Sequence, residues 1–189
     1  MYWVKIIFKA YVFIILCLVV YRESQEGVCD KMPVWHYSVK VVDEEERTAK
    51  AMIWDVPVSP KIMYEVCRAI RGMMLQEAKE YLKRVIELKE PVPFFRYKGK
   101  QAHRRGLADK WKWPIGRYPV KAAKYLLKLL ENVENNAENK GLDTSKLKII
   151  HIASHKGPIL KRWMPRAFGR ATPKFRRLSH VEVIVQEVK

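Results

Sequence analysis

Hydrophobic positions along this chain change their period twice. Trp35, Tyr37, Val39 and Val41 alternate with polar residues, the pattern of a half-buried strand. Asp43–Glu46 reads as a solvated acidic turn, with a metal site as its alternative. Ala49–Val56 reads as another short extended or looping piece. From Ser59 the period becomes helical. Met63, Val66, Cys67 and Ile70 fall at i, i+3, i+4 and i+7. Ser59 and Pro60 supply a start and Gly72 a stop. A second helix is predicted from about Leu75 to Leu88, with Leu75, Ala78, Leu82, Val85 and Ile86 inward and Pro91 beyond its end. A third starts near Pro119, carries Ala123, Leu126, Leu130, Val133 and Ala137 on one side, and ends at Gly141. Strand patterning then returns. Leu147, Ile149, His151 and Ala153 are expected on one face of the first run, and Val181, Val183 and Val185 on one face of the second. The fold this predicts is α+β: three helices packed on a small antiparallel sheet, with a long protruding β-hairpin.

The connection inside that hairpin is unlike the rest. Lys156, Lys161, Arg162, Arg166, Arg170, Lys174, Arg176 and Arg177 stand in it with no Asp or Glu between them. Arms with so little aliphatic surface and so much charge do not fold back into a core. From Leu147 to Met164 an extended chain reaches roughly 60 Å at about 3.3 Å per residue. An arm of this composition calls for a polyanion to neutralise it, and the reading is a probe built to lie inside RNA.

Composition extends this picture to the whole chain. The 189 residues suit one domain with an appendage. The net charge of +17 implies a polyanionic partner, nucleic acid first and an anionic membrane surface second. A second basic stretch, 91–120, interleaves Lys98, Lys100, His103, Arg104, Arg105, Lys110, Lys112 and Arg117 with aromatic residues, Trp111 among them. The cations are expected to neutralise phosphates. The rings could stack on exposed bases or pack on the protein.

Enzymatic chemistry finds no support. Cys17, Cys29 and Cys67 lack the spacing of a zinc site or a disulfide framework, so a reducing compartment and no cofactor are expected. Cys67 lies in an apolar stripe, where a thiol acts as a small hydrophobe. His151 and His155 share a strand face without an acidic sequence neighbour, a pattern of packing or RNA contact. There is no phosphate-cradling Gly-rich loop, no G-x-S-x-G and no HExxH. No small-molecule substrate is expected.

Residues 1–31 differ from the remainder. Lys5 and Lys9 precede an apolar run, Ala10–Tyr21, shorter than the ~20 residues a spanning helix needs. The favoured reading is a chain that starts at Met32, with a membrane anchor or signal and an amphipathic extension as alternatives. The expected organisation is thus an apolar leader of doubtful status (1–31) and an RNA-binding domain (32–189). That domain comprises a body (32–147) with the basic insert (91–120) and a hairpin (148–187).

Several ordered motifs then point one way. Ser59-Pro60-Lys61, Val66-Cys67-Arg68-Ala69-Ile70-Arg71-Gly72 and, above all, Pro165-Arg166-Ala167-Phe168-Gly169-Arg170-Ala171 resemble a universal family. It is the large-subunit ribosomal protein numbered twenty-two in bacteria and seventeen in eukaryotes. Ala102–Pro119 and Trp35-His-Tyr-Ser-Val are similar to its archaeal and eukaryotic branch. The resemblance covers Met32–Lys189. It implies a cytoplasmic ribosomal location and a body near the polypeptide exit. It further implies contacts to several rRNA domains and neighbouring ribosomal proteins, and a hairpin that lines the exit tunnel beside the nascent polypeptide. Carried over, Met164, Pro165, Arg166, Ala167, Phe168, Gly169 and Arg170 form the tunnel-facing tip. Arg162, Arg166 and Arg170 bind rRNA phosphates there, and Lys156, Lys161, Lys174, Arg176 and Arg177 line the shaft. Gly169 permits the bend and Pro165 stiffens it. The competing readings are a membrane-tethered basic adaptor and an RNA-binding protein outside the ribosome.

Overall fold

The computed structural model describes residues 36–39 and 47–188. All elements named below lie in the second of the two units into which the chain divides, Val39–Lys189. The apolar leader and the acidic turn at Asp43–Glu46 fall outside the described residues. So does most of the strand expected over Trp35–Val42, of which 36–39 are described and contain no strand.

Three long helices follow the predicted stripes. Strand β1 (Thr48–Val56) leads into α1 (Pro60–Ile70), and α2 (Leu75–Ile86) follows after a short turn. The Ser59 carbonyl accepts the N–H groups of Ile62 and Met63, so Ser59 stands at the N-cap, although its hydroxyl makes no capping bond. Gly72 takes φ +81°, a left-handed conformation that costs a glycine little, and its N–H donates to the carbonyl of Ile149. The third long helix, α4 (Val120–Asn139), is about 30 Å long at 1.5 Å per residue. Ala123, Leu126, Leu130, Val133 and Ala137 are fully buried along it, as its periodicity requires.

The insert between α2 and α4 is folded more than its composition suggests. It contains a two-strand ladder, β2 (Val92–Pro93) with β3 (Gly116–Arg117), and one further turn of helix, α3 (Leu107–Trp111). That helix begins after Gly106 at φ +73° and buries Leu107. Gly116 is required by close packing: a Cβ there would lie 2.5 Å from Leu107 Cδ2 and 2.7 Å from the Val92 carbonyl oxygen.

After a single 3-10 turn at Thr144–Lys146, β4 (Leu147–Leu160) and β7 (Arg176–Glu187) form the hairpin, with β5 (Trp163–Pro165) and β6 (Ala171–Pro173) near its tip. The sheet order is β1-β7-β4, all antiparallel, so β7 is the central strand. Leu147, Ile149, Ile152, Val181, Val183 and Val185 join the core with Ala49, Ala51 and the buried stripes of α1, α2 and α4. Among the described residues this gives the predicted α+β arrangement of helices on a small antiparallel sheet.

The face assignment within β4 needs correction. Register shifts between Ile149 and His151, so Ile150 is an extra, exposed residue opposite the paired strand. A bulge of this kind resets the alternation. Ile152, not His151 or Ala153, therefore continues the core face begun by Leu147 and Ile149.

Truncating Leu130 to Ala should lower unfolding free energy by about 2–5 kcal/mol, because the site lies fully enclosed between elements that cannot collapse freely. Urea denaturation would measure it, and a loss below about 1 kcal/mol would show that α4 is not a core helix.

Candidate nucleic-acid interface

Beyond Lys156 the hairpin leaves the core. A second register shift falls between Lys156 and Ile159, and the ladder then continues through Ile159–Arg177 and Leu160–Arg176. Lys174 N–H donates to the Arg162 carbonyl at 2.6 Å, and Trp163–Pro165 pairs with Ala171–Pro173. Arg166 N–H closes the tip on the Arg170 carbonyl at 2.7 Å. The turn is made with Phe168 at φ +59° and Gly169 at φ +65°. Gly169 thus occupies the bend expected of it, and Phe168, 93% exposed, stands out from the tip. Trp163 and Phe175 meet edge to face, with ring centres 5.7 Å apart, and brace the two arms.

Lys156, Lys161, Arg162, Arg166, Arg170, Lys174, Arg176 and Arg177 are all exposed. Arg166 Nε reaches Thr172 Oγ1 at 3.3 Å, but none of the eight pairs with a carboxylate among the described residues. Their like charges are displayed along one narrow ladder with no internal neutralisation. Pro165 pairs in the ladder opposite Ala171, and Met164 is half-buried while Ala167 is exposed.

The insert is anchored differently. Glu65, fully buried on α1, accepts three backbone N–H groups: Phe95 to Oε2 at 3.1 Å, and Arg96 and Tyr97 to Oε1 at 2.8 and 2.7 Å. One carboxylate therefore clamps the start of the basic stretch. Trp113 Nε1 donates to the Phe94 carbonyl at 2.9 Å, and the rings of Phe95 and Trp113 lie 5.5 Å apart. Cations lie over these rings: Arg68 is 4.5 Å from the centre of Phe95, Lys98 is 5.1 Å from Trp113, and Arg104 is 5.4 Å from Tyr118. Of the two roles left open for the aromatics, the structure shows packing on the protein for Phe94, Phe95, Trp111 and Trp113. Trp111 is half-buried, its ring 6.4 Å from that of Tyr81 on α2.

Lys98, Lys100, His103, Arg104, Arg105, Lys112 and Arg117 are exposed on the insert. Lys110 is committed within the protein: its ammonium pairs with Glu90, which also accepts from Arg84 Nε at 2.8 Å. Partial burial pushes the Glu90 carboxyl up, yet the hydrogen bonds from Lys110 and Arg84 outweigh that and hold it below the usual range. Cys67 is buried as expected, and burial pushes its thiol up to about 12, far from a reactive thiolate.

His151 and His155 do share a face, but the acidic partner absent from their sequence neighbourhood comes from across the hairpin. Glu182 on β7 is fully buried, with Oε1 3.0 Å from His151 Nε2 and 3.1 Å from His155 Nε2. Sequence reading also missed Glu65, whose signal was its helical phase, three residues after Ile62 and four before Ala69.

The model for the family described as ribosomal protein L22p/L17e matches residues 51–186. The large ribosomal subunit protein uL22 of Staphylothermus marinus is 69% identical over 157 residues, 83% of this chain and 99% of the relative. Its counterpart in Ignicoccus hospitalis is 67% identical over 159 residues, 84% of this chain and 100% of that protein. The protein of the same name in Methanopyrus kandleri is 53% identical over 154 residues, 81% and 96% of the two chains.

Removing the Glu65 carboxylate strands three part-buried donors, and a single charge-assisted hydrogen bond is worth about 1.5–3 kcal/mol. Glu65→Ala should therefore speed amide exchange at Phe95, Arg96 and Tyr97 by at least about tenfold, with partial rescue in Glu65→Gln. Unchanged exchange would refute the clamp. Glu90 gives a pH prediction. Its lowered folded value means its contribution is fully present above pH 4.5, the ordinary value, and is lost as pH falls through the lower folded value. Acid should loosen the contact with α3 in the native chain, and Glu90→Gln should lack that step. Identical acid titrations of Trp111 indole resonances in both proteins would contradict this.

Proposed function

The chain belongs to the ribosomal protein L22p/L17e family, in its archaeal-type branch, and we propose that it builds the large ribosomal subunit by binding several domains of its rRNA. The family is one of structural ribosomal proteins and not of enzymes. The relatives carry the large subunit in their name, and each is matched over nearly its whole length, which supports the same assembly here and a cytoplasmic, ribosomal location. In this reading the globular body sits near the polypeptide exit beside neighbouring ribosomal proteins. The hairpin lines the exit tunnel, with Met164–Arg170 facing the nascent polypeptide.

The observation that carries the rRNA reading is the hairpin itself. Eight cations stand on a ladder that continues past the core, without a carboxylate partner among the described residues. Alone, such an arm repels itself. Threaded through phosphates it releases their counterions, and each phosphate neutralised steepens the salt dependence of binding, by about 0.9 on a B-form DNA duplex and about 0.7 on a single strand. Arg162, Arg166 and Arg170 suit bidentate contact with phosphate oxygens, and Lys98, Lys100, His103, Arg104, Arg105, Lys112 and Arg117 extend the basic surface over the body. Lys110 and Trp111 would act there by holding α3 in place. Contacts of this sort set position and register and leave base identity unread.

Sedimentation of a native lysate in high salt tests the assignment. The chain should remain stoichiometric with the large subunit, because an arm threaded into rRNA resists salt that strips peripheral binders. Recovery in soluble or membrane fractions would overturn it. Arg166→Ala combined with Arg170→Ala should leave the thermal stability of the free protein nearly unchanged while loosening the tip in the subunit. An equal loss of stability in the free protein would contradict the separation of body and probe.

A further inference from the structure

Where the hairpin departs from the body, a cleft of about 480 Å³ opens between the start of α1, the beginning of the insert and the root of β4 and β7. That volume lies within the roughly 300–1,000 Å³ of small-ligand sites. Three cations from three elements line it: Lys61 of α1, Lys156 of β4 and Arg177 of β7. None of them pairs with a carboxylate among the described residues. Two tyrosines form its aromatic wall. The rings of Tyr64 and Tyr97 meet edge to face with centres 5.8 Å apart, and Lys61 Nζ lies 5.5 Å from the centre of Tyr97.

Two further features fit a ligand. Tyr97 is one of the residues whose backbone is clamped by Glu65, so this wall is held in place before anything binds. Ser154 also lines the cleft, and its hydroxyl is buried without a hydrogen-bond partner among the described residues. A buried hydroxyl left unmatched is costly, and a ligand group that bonds to it recovers that cost. The lining thus combines cations for a phosphate, ring surface for a base and a hydroxyl able to pair with ribose or base edge. Among the described residues no carboxylate lines the cleft to oppose an anion.

We propose that this cleft receives one unpaired rRNA nucleotide, its phosphate held by Lys61, Lys156 and Arg177 and its base or ribose set against Tyr64 and Tyr97. The inference rests on the rRNA-binding reading above and adds a defined subsite to it. Duplex RNA offers no such splayed group, whereas loops and bulges do. The hairpin root is thereby latched to the same RNA through which its tip passes, and a single nucleotide links three elements of the protein.

The test is 2′-hydroxyl acylation of large-subunit rRNA, in subunits carrying the full-length chain or its variants. One pair is Tyr64→Ala with Tyr97→Ala, and the other is Ser154→Ala with Lys156→Ala, both positions of which lie outside the core cluster. An unpaired nucleotide protected in the parent subunits should gain reactivity by about tenfold with either pair, the scale of losing a stacked base, while protections at the hairpin tip stay unchanged. If no nucleotide beyond the tip responds to either pair in fully assembled subunits, the proposal fails while the rRNA reading stands. Should the tyrosine pair block incorporation, the Ser154/Lys156 pair decides alone. Cross-linking of Tyr97 to a protein in place of RNA would also overturn it. Absence of the parent chain from the subunit would overturn both readings together.

Discussion

Unpaired positive charge must be kept out of the interior before this chain can fold, and the rest of the architecture follows from how that is done. The sequence holds 37 Lys and Arg against 20 Asp and Glu, a surplus that repels itself in any compact state. The body solves this with a few well-placed carboxylates. Glu134 on α4 pairs with Lys79 on α2, Glu90 gathers Arg84 and Lys110, and Glu65 takes backbone donors instead of cations. What these groups leave uncompensated is exported to the outer face of the insert and to the hairpin. The protein thus has a neutralised interior and an unneutralised coat on the insert and the arm, and it is these surfaces that need another molecule to balance them.

Much of this was legible from the order of residues. The three long helices lie where the apolar spacing put them, because each packs on one side and a one-sided environment imprints a 3.6-residue period. The hairpin was legible for the opposite reason: a block of eight cations without an acid cannot be interior. The bulge at Ile150 was not legible. Its cause is the pairing of β4 with β7, and nothing in the local run Lys148–His155 marks which residue will be squeezed out. In central strand β7 the alternation of Val181, Val183 and Val185 did mark the core face, but the burial of His180 and Glu182 on the other face was not legible.

The candidate site divides along the same line. Exposed Lys and Arg could be named from the sequence, because charge that is not interior is on the surface. What holds them could not, because it depends on contacts between distant segments. Glu65 reaches residues 30 to 32 positions away, and Glu182 meets His151 across 31. Aromatic residues of the insert read equally well as base-stacking platforms and as packing. For two of them three-dimensional neighbours decide: Phe94 is buried, and Trp113 donates inward to its carbonyl. The insert is better understood as a small aromatic wedge with a cationic coat than as a flexible basic loop.

Centrality of β7 has a consequence for how the molecule comes into being. Asp55 N–H bonds to His180 Nδ1 across 125 positions, and Ser179 Oγ to the Val58 carbonyl across 121. A ribosome making this chain delivers β1, the helices α1 to α4 and β4 before the strand that joins β1 to β4 exists. Helices can form early, but the sheet must wait, and such non-local pairing is slow and leaves edges exposed meanwhile. Apolar faces of α1, α2 and α4 are then uncovered in the same nascent chain that already carries the basic insert. Completion of the fold becomes a late event in synthesis, and every newly made copy passes through an interval in which it is cationic, sticky and unfinished.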